Sequence, residues 1–456
     1  MAPMPPHDPL ELEPAGPRLR VMWMSAWSFT TLFAVWLMFG VLGLEVKKDT
    51  ALMLGAEASA SLSPAEIKVA VESRFEWLLA VAILAGSLPR LSFGIWADKY
   101  GGRNIMLLLL VGCAIPTYLV SHVSTYWELL ACSAMFGFAG NSFTVGVAWN
   151  SAWFPNRRKG TAIGVFGAGN VGAAGTKLLV ILVPGVLTLV PAAGYLGGLV
   201  PGGWRFVPVM YSILLLVTAT ALYLVCPKTD HKPGRGRLLG EMLAPLKFVQ
   251  VWRFSLYYVV VFGAYVALSA WLANYYRNTF GVDLRTAALL TALYIFPASL
   301  LRPFGGWLSD LYGPRRVTYT VFVVMILAIV PLCLPTSLLN LGVEGFTALL
   351  VIVGIGMGIG KASVYKYVPN YYPKDVGAVG GLVGMLGALG GFVLPPTFGA
   401  IGRWSGSPQS AFLALLALTV VSLIWLHFAV TRIKRKAAPR VDAAAIPLVR
   451  EALVAN

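Results

Sequence analysis

Twelve stretches of roughly 20 mainly apolar residues recur along this chain, beginning near Trp23, Phe75, Asn104, Tyr126, Gly160, Trp204, Trp252, Ala287, Arg316, Gly345, Val376 and Ala411. Wound as α-helix, a stretch of that length matches the hydrocarbon thickness of a bilayer. Twelve of them leave little chain for any other fold. Charged residues make up 12% of the 456 positions and hydrophobic ones 58%, whereas soluble domains carry about 25% charged residues. An all-α integral membrane protein of twelve transmembrane helices is therefore expected. No short apolar segment with a cleavage site precedes the first run, so that run is expected to be a retained helix and not a signal peptide.

Most Lys and Arg fall before the first run, in the even-numbered loops or in the C-terminal tail. Examples are NRRKG from Asn156, KTDHKPGRGR from Lys228 and RIKRK from Arg432. This bias places both termini in the cytoplasm of a cell whose inner membrane holds the chain. It also accounts for most of the net charge of +16, so no nucleic-acid partner is needed to explain it. The longest basic stretch, Cys226 to Lys247, is rich in Pro and Gly and divides the chain. The expected parts are a tail over 1–21, a six-helix bundle over 22–226, a linker over 227–247, a second bundle over 248–432 and a tail over 433–456.

The two halves repeat one phrase. RLSFGIWADKYGGR runs from Arg90 and RPFGGWLSDLYGPR from Arg302, closing the second and eighth helices. Arg90/Arg302, Gly94/Gly306, Asp98/Asp310, Tyr100/Tyr312, Gly101/Gly313 and Arg103/Arg315 match at one constant spacing. A second echo, GTAIGVFG from Gly160 and GAVGGLVG from Gly377, shares GxxxGxxG between the fifth and eleventh helices. Homologous six-helix halves point to a secondary transporter with its site between the bundles.

Arg90 and Arg302 stand eight residues, or roughly 12 Å of helix, deeper than the aspartates, which are expected at a solvated cytoplasmic mouth. An Arg at a helix centre costs roughly 2.5–3.5 kcal/mol on insertion scales, so it should face a polar cavity with a partner. The acidic residues all fall in tails, loops or helix ends, with Glu76 and Glu128 nearest the interior. Arg90, Lys177, Arg302, Lys361 and Lys366 all lie within spans. An interior rich in cations and poor in carboxylates is missing its counter-ion, and the expected cargo is an anion. A structural reading, with each arginine bonded to helix carbonyls or snorkelling to water, suits one such arginine better than two at equivalent places. Paired guanidinium forks suit a small planar oxyanion.

The G-x-x-x-D-x-x-G-x-R phrase at both places resembles the major facilitator superfamily over nearly the whole chain. The glycine-rich runs GVFGAGNVGAAGTK from Gly164 and GGLVGMLGALGGFVLPPTFG from Gly380 resemble the two signature helices of its nitrate/nitrite porter family. GNSFTVGVAWNSAWFP from Gly140 and GIGKASVYKYVPNYYP from Gly358 agree. The resemblance implies that Arg90 and Arg302 clamp the anion, that Phe143, Tyr258 and Phe262 form aromatic walls, and that Asn170 adds an amide. It also implies that Gly164, Gly167, Gly169, Gly172, Gly384, Gly387, Gly390 and Gly391 let the signature helices pack closely.

Lys177, Lys361 and Lys366 resemble the branch described as nitrate/proton symporters, in which a desolvated lysine could carry the proton. Lys361, nearest the midplane by count, is the first candidate; holding anion affinity or a gate is the alternative for all three. The expected partners are nitrate, with nitrite as the other candidate, protons and the lipid bilayer, and a monomer suffices. A nitrate/nitrite antiporter is the alternative, with phosphate or an organic anion behind it. Gly94, Asp98, Arg103, Gly306, Asp310 and Arg315 are expected to form gates, the aspartates binding basic loops or helix N-termini. The scattered Cys113, Cys132, Cys226 and Cys333 suggest packing rather than metal, and His122 and His427 sit near helix ends. No phosphate-cradling loop is present, so neither cofactor, ATP nor enzymatic chemistry is expected.

Overall fold

The computed structural model describes residues 8–172, 190–191, 193–334, 336–339, 341–407 and 409–437. Among these the regular structure is helical apart from one isolated bridge between Tyr195 and Val200. Membrane-crossing helices are numbered in chain order. In the first half they are α1 (Ala15–Trp36), α2 (Pro64–Ala85 with Arg90–Tyr100), α3 (Gly102–Leu119), α4 (Tyr126–Gly137 with Ser142–Trp153), α5 (Lys159–Gly167) and α6 (Phe206–Val225). The second half holds α7 (Val249–Tyr258 with Ala264–Phe280), α8 (Leu284–Leu300 with Arg302–Tyr312), α9 (Pro314–Leu332), α10 (Val343–Tyr371), α11 (Val376–Ser405) and α12 (Ser410–Ala437). Among the described residues, ten spans are long and apolar enough on their own to cross a membrane; α1 and α5 are not among them.

The chain from Glu45 to Arg74, polar in sequence, is mostly helical. It holds two small helices, Thr50–Leu54 and Ala56–Ser61, before α2 starts at Pro64. Ser63 caps that start: Glu66 N donates to its Oγ, and its own N–H donates to the Glu66 carboxylate. Thr125 and Glu128 repeat the arrangement at α4, and Asp283 caps α8. The repeated Tyr-Gly pair has a different task. Gly101 and Gly313 sit at φ +96° and +82° between α2 and α3 and between α8 and α9. A side chain there would be strained, which is one reason the phrase recurs.

Five helices lose regular geometry at one level. α2 breaks between Ala85 and Arg90, α8 at Leu301, α4 and α5 tighten into 3-10 turns (Phe138–Asn141 and Ala168–Val171), and α7 widens into a π turn over Val259–Gly263. Freed backbone groups are tolerated at membrane depth only where protein or a polar cavity satisfies them. At the α2 break the accounting is visible. The Trp36 indole donates to Ala82 O at 2.8 Å, Asn141 Nδ2 to Ala85 O at 3.1 Å, and Arg90 Nε to Gly86 O at 2.9 Å.

This junction of α1, α2 and α4 is packed backbone to backbone. A Cβ on Gly140 would lie 2.7 Å from Trp36 Cε2 and 2.9 Å from the Gly86 carbonyl oxygen. Overpacking of this kind costs about 1–3 kcal/mol. Gly140→Ala is expected to lower the unfolding temperature of the purified protein by several degrees, whereas Gly112→Ala, facing open space, should leave it unchanged.

Candidate anion-binding site

Each repeated arginine is the first residue of a new helical segment, Arg90–Tyr100 and Arg302–Tyr312. The residue pattern explains the breaks: Gly86 and Pro89 precede Arg90, while Pro297 and Pro303 flank Arg302. A helix start exposes N–H groups and a partial positive charge, which adds to each guanidinium. Discontinuous helices of this sort bring their N-termini to anionic substrates in other carriers.

Both side chains are fully buried, and they differ in how they are held. Arg90 is tethered: Nε donates to Gly86 O, and Nη1 reaches across the halves to Gly384 O on α11 at 3.0 Å. The structural reading of a lone arginine thus holds in part for Arg90, with only Nη2 left over. Arg302 is untethered; its Nε, Nη1 and Nη2 have no hydrogen-bond partner among the described residues. No salt bridge reaches either group among the described residues, and the two lie near enough to feel each other's charge. Like charges this close in a low-dielectric interior repel, an energy that a bound monoanion reverses.

The predicted aromatic residues converge here. The Phe143 ring carries Arg302 Cζ at 5.0 Å and Arg90 Cζ at 5.8 Å from its centroid. Opposite it, nearly parallel, stand Tyr258 at 6.2 Å and 10° and Phe262 at 6.4 Å and 5°. The Tyr258 hydroxyl lies beside Arg302. Asn170 is buried with both amide atoms unbonded among the described residues. It follows Gly167 by three residues and so shares its face of α5. That face bears on Arg302, since a Cβ at Gly167 would lie 2.7 Å from Arg302 Cζ. Two aromatics that the sequence reading did not single out, Trp36 and Tyr365, also border the site.

The GxxxGxxG echo has a geometric meaning. On α5, Gly160, Gly164 and Gly167 lie against Gly306, the Arg302 backbone and the Arg302 side chain of α8. On α11, Gly377, Gly381 and Gly384 lie likewise against Gly94, the Arg90 backbone and the Arg90 side chain of α2. Each glycine seam therefore seats the arginine segment of the opposite half. The remaining signature glycines pack elsewhere: Gly169 and Gly172 on α1, and Gly387, Gly390 and Gly391 on α7.

The lysines separate. Lys177 lies outside the described residues. Lys361 is fully buried on α10, donates to Ala298 O on α8 at 3.0 Å, and stands 3.0 Å from the Tyr265 ring centroid. Arg302 is close enough to repel it. Lys366, expected on the anion path, is instead paired with Asp310 at 2.7 Å and donates to Asn156 O. One of the buried cations thus has a carboxylate after all.

Nor are the motif aspartates solvated. Asp98 is 1% exposed, and Gly377 N at the start of α11 donates to it at 2.7 Å. Asp310 accepts from Gly160 N at 2.9 Å and from the N–H and hydroxyl of Thr161 at 2.7 and 2.8 Å, at the start of α5. Carboxylates at helix N-termini are stabilised by both the free N–H groups and the dipole. The two links run crosswise between the halves and join them at this face. Arg103 and Arg315 do not cross: Arg103 donates to Tyr223 O, and Arg315 to the Tyr371 hydroxyl.

The linker joins the closure. Asp230 accepts from Arg103 N and from the indoles of Trp149 and Trp153 at 2.9, 3.0 and 2.7 Å. Arg237 then bonds Asp375, beside the start of α11, at 2.6 Å. Met242 is buried against Ile95 of α2 and Ala378 of α11.

A model of the Major Facilitator Superfamily matches residues 21–287 and 254–454. The chain is 52% identical over 447 residues to a Thermus thermophilus protein named "Probable nitrate/nitrite antiporter NarK1", covering 95% of this chain and 96% of that one. It is 28% identical to the "Nitrite extrusion protein" of Bacillus subtilis, covering 76% and 84% of the two chains. Among solved structures, the fucose:proton symporter FucP of E. coli superposes with a TM-score of 0.67 at 14% identity, over 90% of this chain and 99% of that one. That likeness concerns the fold alone.

Removing one partner of a buried ion pair costs on the order of 3–5 kcal/mol. Asp310→Asn strands Lys366 and is expected to loosen the closed face. Hydrogen–deuterium exchange should quicken at the start of α5 and also at the start of α11, where Asp98 is untouched. Faster exchange at α5 alone would show that the two links act separately.

Proposed function

Because this chain belongs to the Major Facilitator Superfamily and, within it, to the nitrate/nitrite porters, we propose that it imports nitrate across the inner membrane by alternating access, as nitrate/proton symport. Like the relatives it matches, it is a transporter and not an enzyme. In this reading Arg90 and Arg302 hold the anion, Phe143 covers one face and Tyr258 and Phe262 the other, and Asn170 donates an amide N–H.

The observation that carries the proposal is Arg302: fully buried, with every guanidinium nitrogen unbonded among the described residues. A buried cation in this condition demands an anion. Nitrate presents oxygens in one plane to a planar fork. The aromatic rings exclude water, which strengthens each charge-assisted bond.

Residues 22–226 and 248–432 are the two bodies that rock, both termini face the cytoplasm, and a single chain holds the whole path. The Asp98 and Asp310 links close the cytoplasmic side while the carrier loads from outside. Gly94 and Gly306 let the helices approach there, because a Cβ on either would run into the facing helix at Gly377 or Gly160. Lys361 is the proton carrier: it is the buried amine nearest Arg302 without a carboxylate among the described residues, and guanidinium cannot release a proton near neutrality. The arrival of an anion favours its protonated form, which couples proton uptake to nitrate.

Antiport against nitrite is the second reading, favoured by the name that the Thermus relative carries. It needs no proton carrier and leaves Lys361 to hold the α7–α8–α10 packing.

Nitrate uptake into proteoliposomes with clamped membrane potential separates the two. With an acidic exterior and no internal nitrite, the wild type should accumulate nitrate, and Arg302→Ala should reduce uptake at least tenfold. Lys361→Met should lose the response to the pH gradient while keeping nitrate counterflow. Uptake that requires internal nitrite and ignores the gradient makes the protein an exchanger, and no nitrate transport in either condition assigns the arginines to another anion.

A further inference from the structure

The two walls of the slot come from different halves, Phe143 from α4 and Tyr258 from α7, yet they stand within 10° of parallel at 6.2 Å. Neither ring holds that spacing alone. Phe143 has no polar atom to anchor it, and the Tyr258 hydroxyl has no strict hydrogen-bond partner among the described residues. Besides Phe262, which stacks on Tyr258 within the same wall, a further ring touches both. Tyr365 on α10 stands edge-on to Phe143 at 4.9 Å and 87°, and to Tyr258 at 4.5 Å and 80°.

Tyr365 is itself fixed. It is fully buried, and its hydroxyl donates to Gly380 O on α11 at 2.9 Å. Gly384, one turn on, makes room for it: a Cβ there would lie 2.5 Å from the Tyr365 hydroxyl and 3.5 Å from Arg90 Cδ. The carbonyl of the same glycine accepts from Arg90 Nη1. One stretch of α11 backbone therefore fixes both a clamp arginine and the ring that props the walls.

Carbon atoms in contact sit roughly 3.5 Å apart, so a guest one atom thick needs roughly 7 Å between rings. The ring centroids stand 6.2–6.4 Å apart, which bounds the gap between the planes from above and so falls short of that. A flat anion enters when the walls part. A pyramidal anion of equal charge, with its central atom out of the oxygen plane, needs a wider parting.

We propose that Tyr365 is a positioning residue that sets the width of the aromatic slot and so selects planar monoanions over pyramidal ones. This rests on the reading that the anion sits between Phe143 and the Tyr258–Phe262 pair. Tyr365 touches the walls and acts on the anion through them.

The test is a competition series on the full-length protein in proteoliposomes, with nitrate and bicarbonate as planar anions and chlorate and bromate as pyramidal ones. The wild type should favour the planar pair at least tenfold. Tyr365→Phe keeps the ring and should hold that ratio within about threefold while weakening all four anions. Tyr365→Leu removes the ring and should reduce the ratio at least fivefold, chiefly by admitting chlorate and bromate. A Leu variant that is monodisperse and keeps the wild-type ratio overturns the proposal. If that variant does not fold, Tyr365→Met, which also removes the ring, takes its place, and an unchanged ratio there overturns it equally. A wild type that binds none of the four anions removes the slot reading itself, whereas equal discrimination by wild type and Leu variant removes only the role of Tyr365.

Discussion

Two guanidinium groups are held in a low-dielectric interior with no carboxylate bonded to them among the described residues, and much of the surrounding architecture serves to make that arrangement tolerable. The helices that carry them are interrupted at the arginines themselves, so backbone carbonyls become available to one and a helix N-terminus lies at each. Four glycines of the two seams, Gly164 and Gly167 on α5 and Gly381 and Gly384 on α11, clear the space in which each arginine segment lies against the opposite half. The aromatic rings close the volume to water. Without the buried charges there would be no physical reason for so much irregular backbone at one depth.

The two arginines are alike in sequence and unlike in condition. Arg90 already spends two of its nitrogens on carbonyls, one in each half, and so ties α2 to α11. Arg302 spends none of its nitrogens on a backbone carbonyl among the described residues. The gates show the same inexact symmetry. Each aspartate caps a helix of the other half, yet only Asp310 has a lysine beside it. At Asp98 the corresponding reinforcement comes from the linker: Gly234 N donates to the Asp98 backbone carbonyl, and Met242 fills the space between Ile95 and Ala378. Two copies of one motif thus close the same face by different means.

The fold class and the ten spans found among the described residues were legible because bilayer thickness imposes one length on every run. The arginines were legible because a repeated charge inside an apolar run has few innocent explanations. Phe143, Tyr258 and Phe262 came from family resemblance, and the structure does bring them together. What could not be read was which partner each group meets across the halves. Lys366 reads as an intramembrane cation because its partner, Asp310, lies far away in sequence and looks like a surface residue. Tyr365 carries no pattern of its own, since one tyrosine among several on α10 is ordinary. The breaks in α2 and α8 did leave a signal, in Gly86 with Pro89 and in Pro297 with Pro303, that periodicity alone passes over. Helix starts were misplaced where a capped helix runs on through polar residues, as α2 does from Pro64 to Phe75.

The linker is anchored to the first half at Asp230 by three donors and to the second at Arg237 by Asp375. The seven residue-to-residue steps from one anchor to the other span roughly 25 Å of backbone at full extension. As long as both anchors hold, the halves can part at this face no farther than that leash allows. Its length is thus a mechanical limit on the stroke of the carrier, written in a segment that contacts neither the slot nor the arginines.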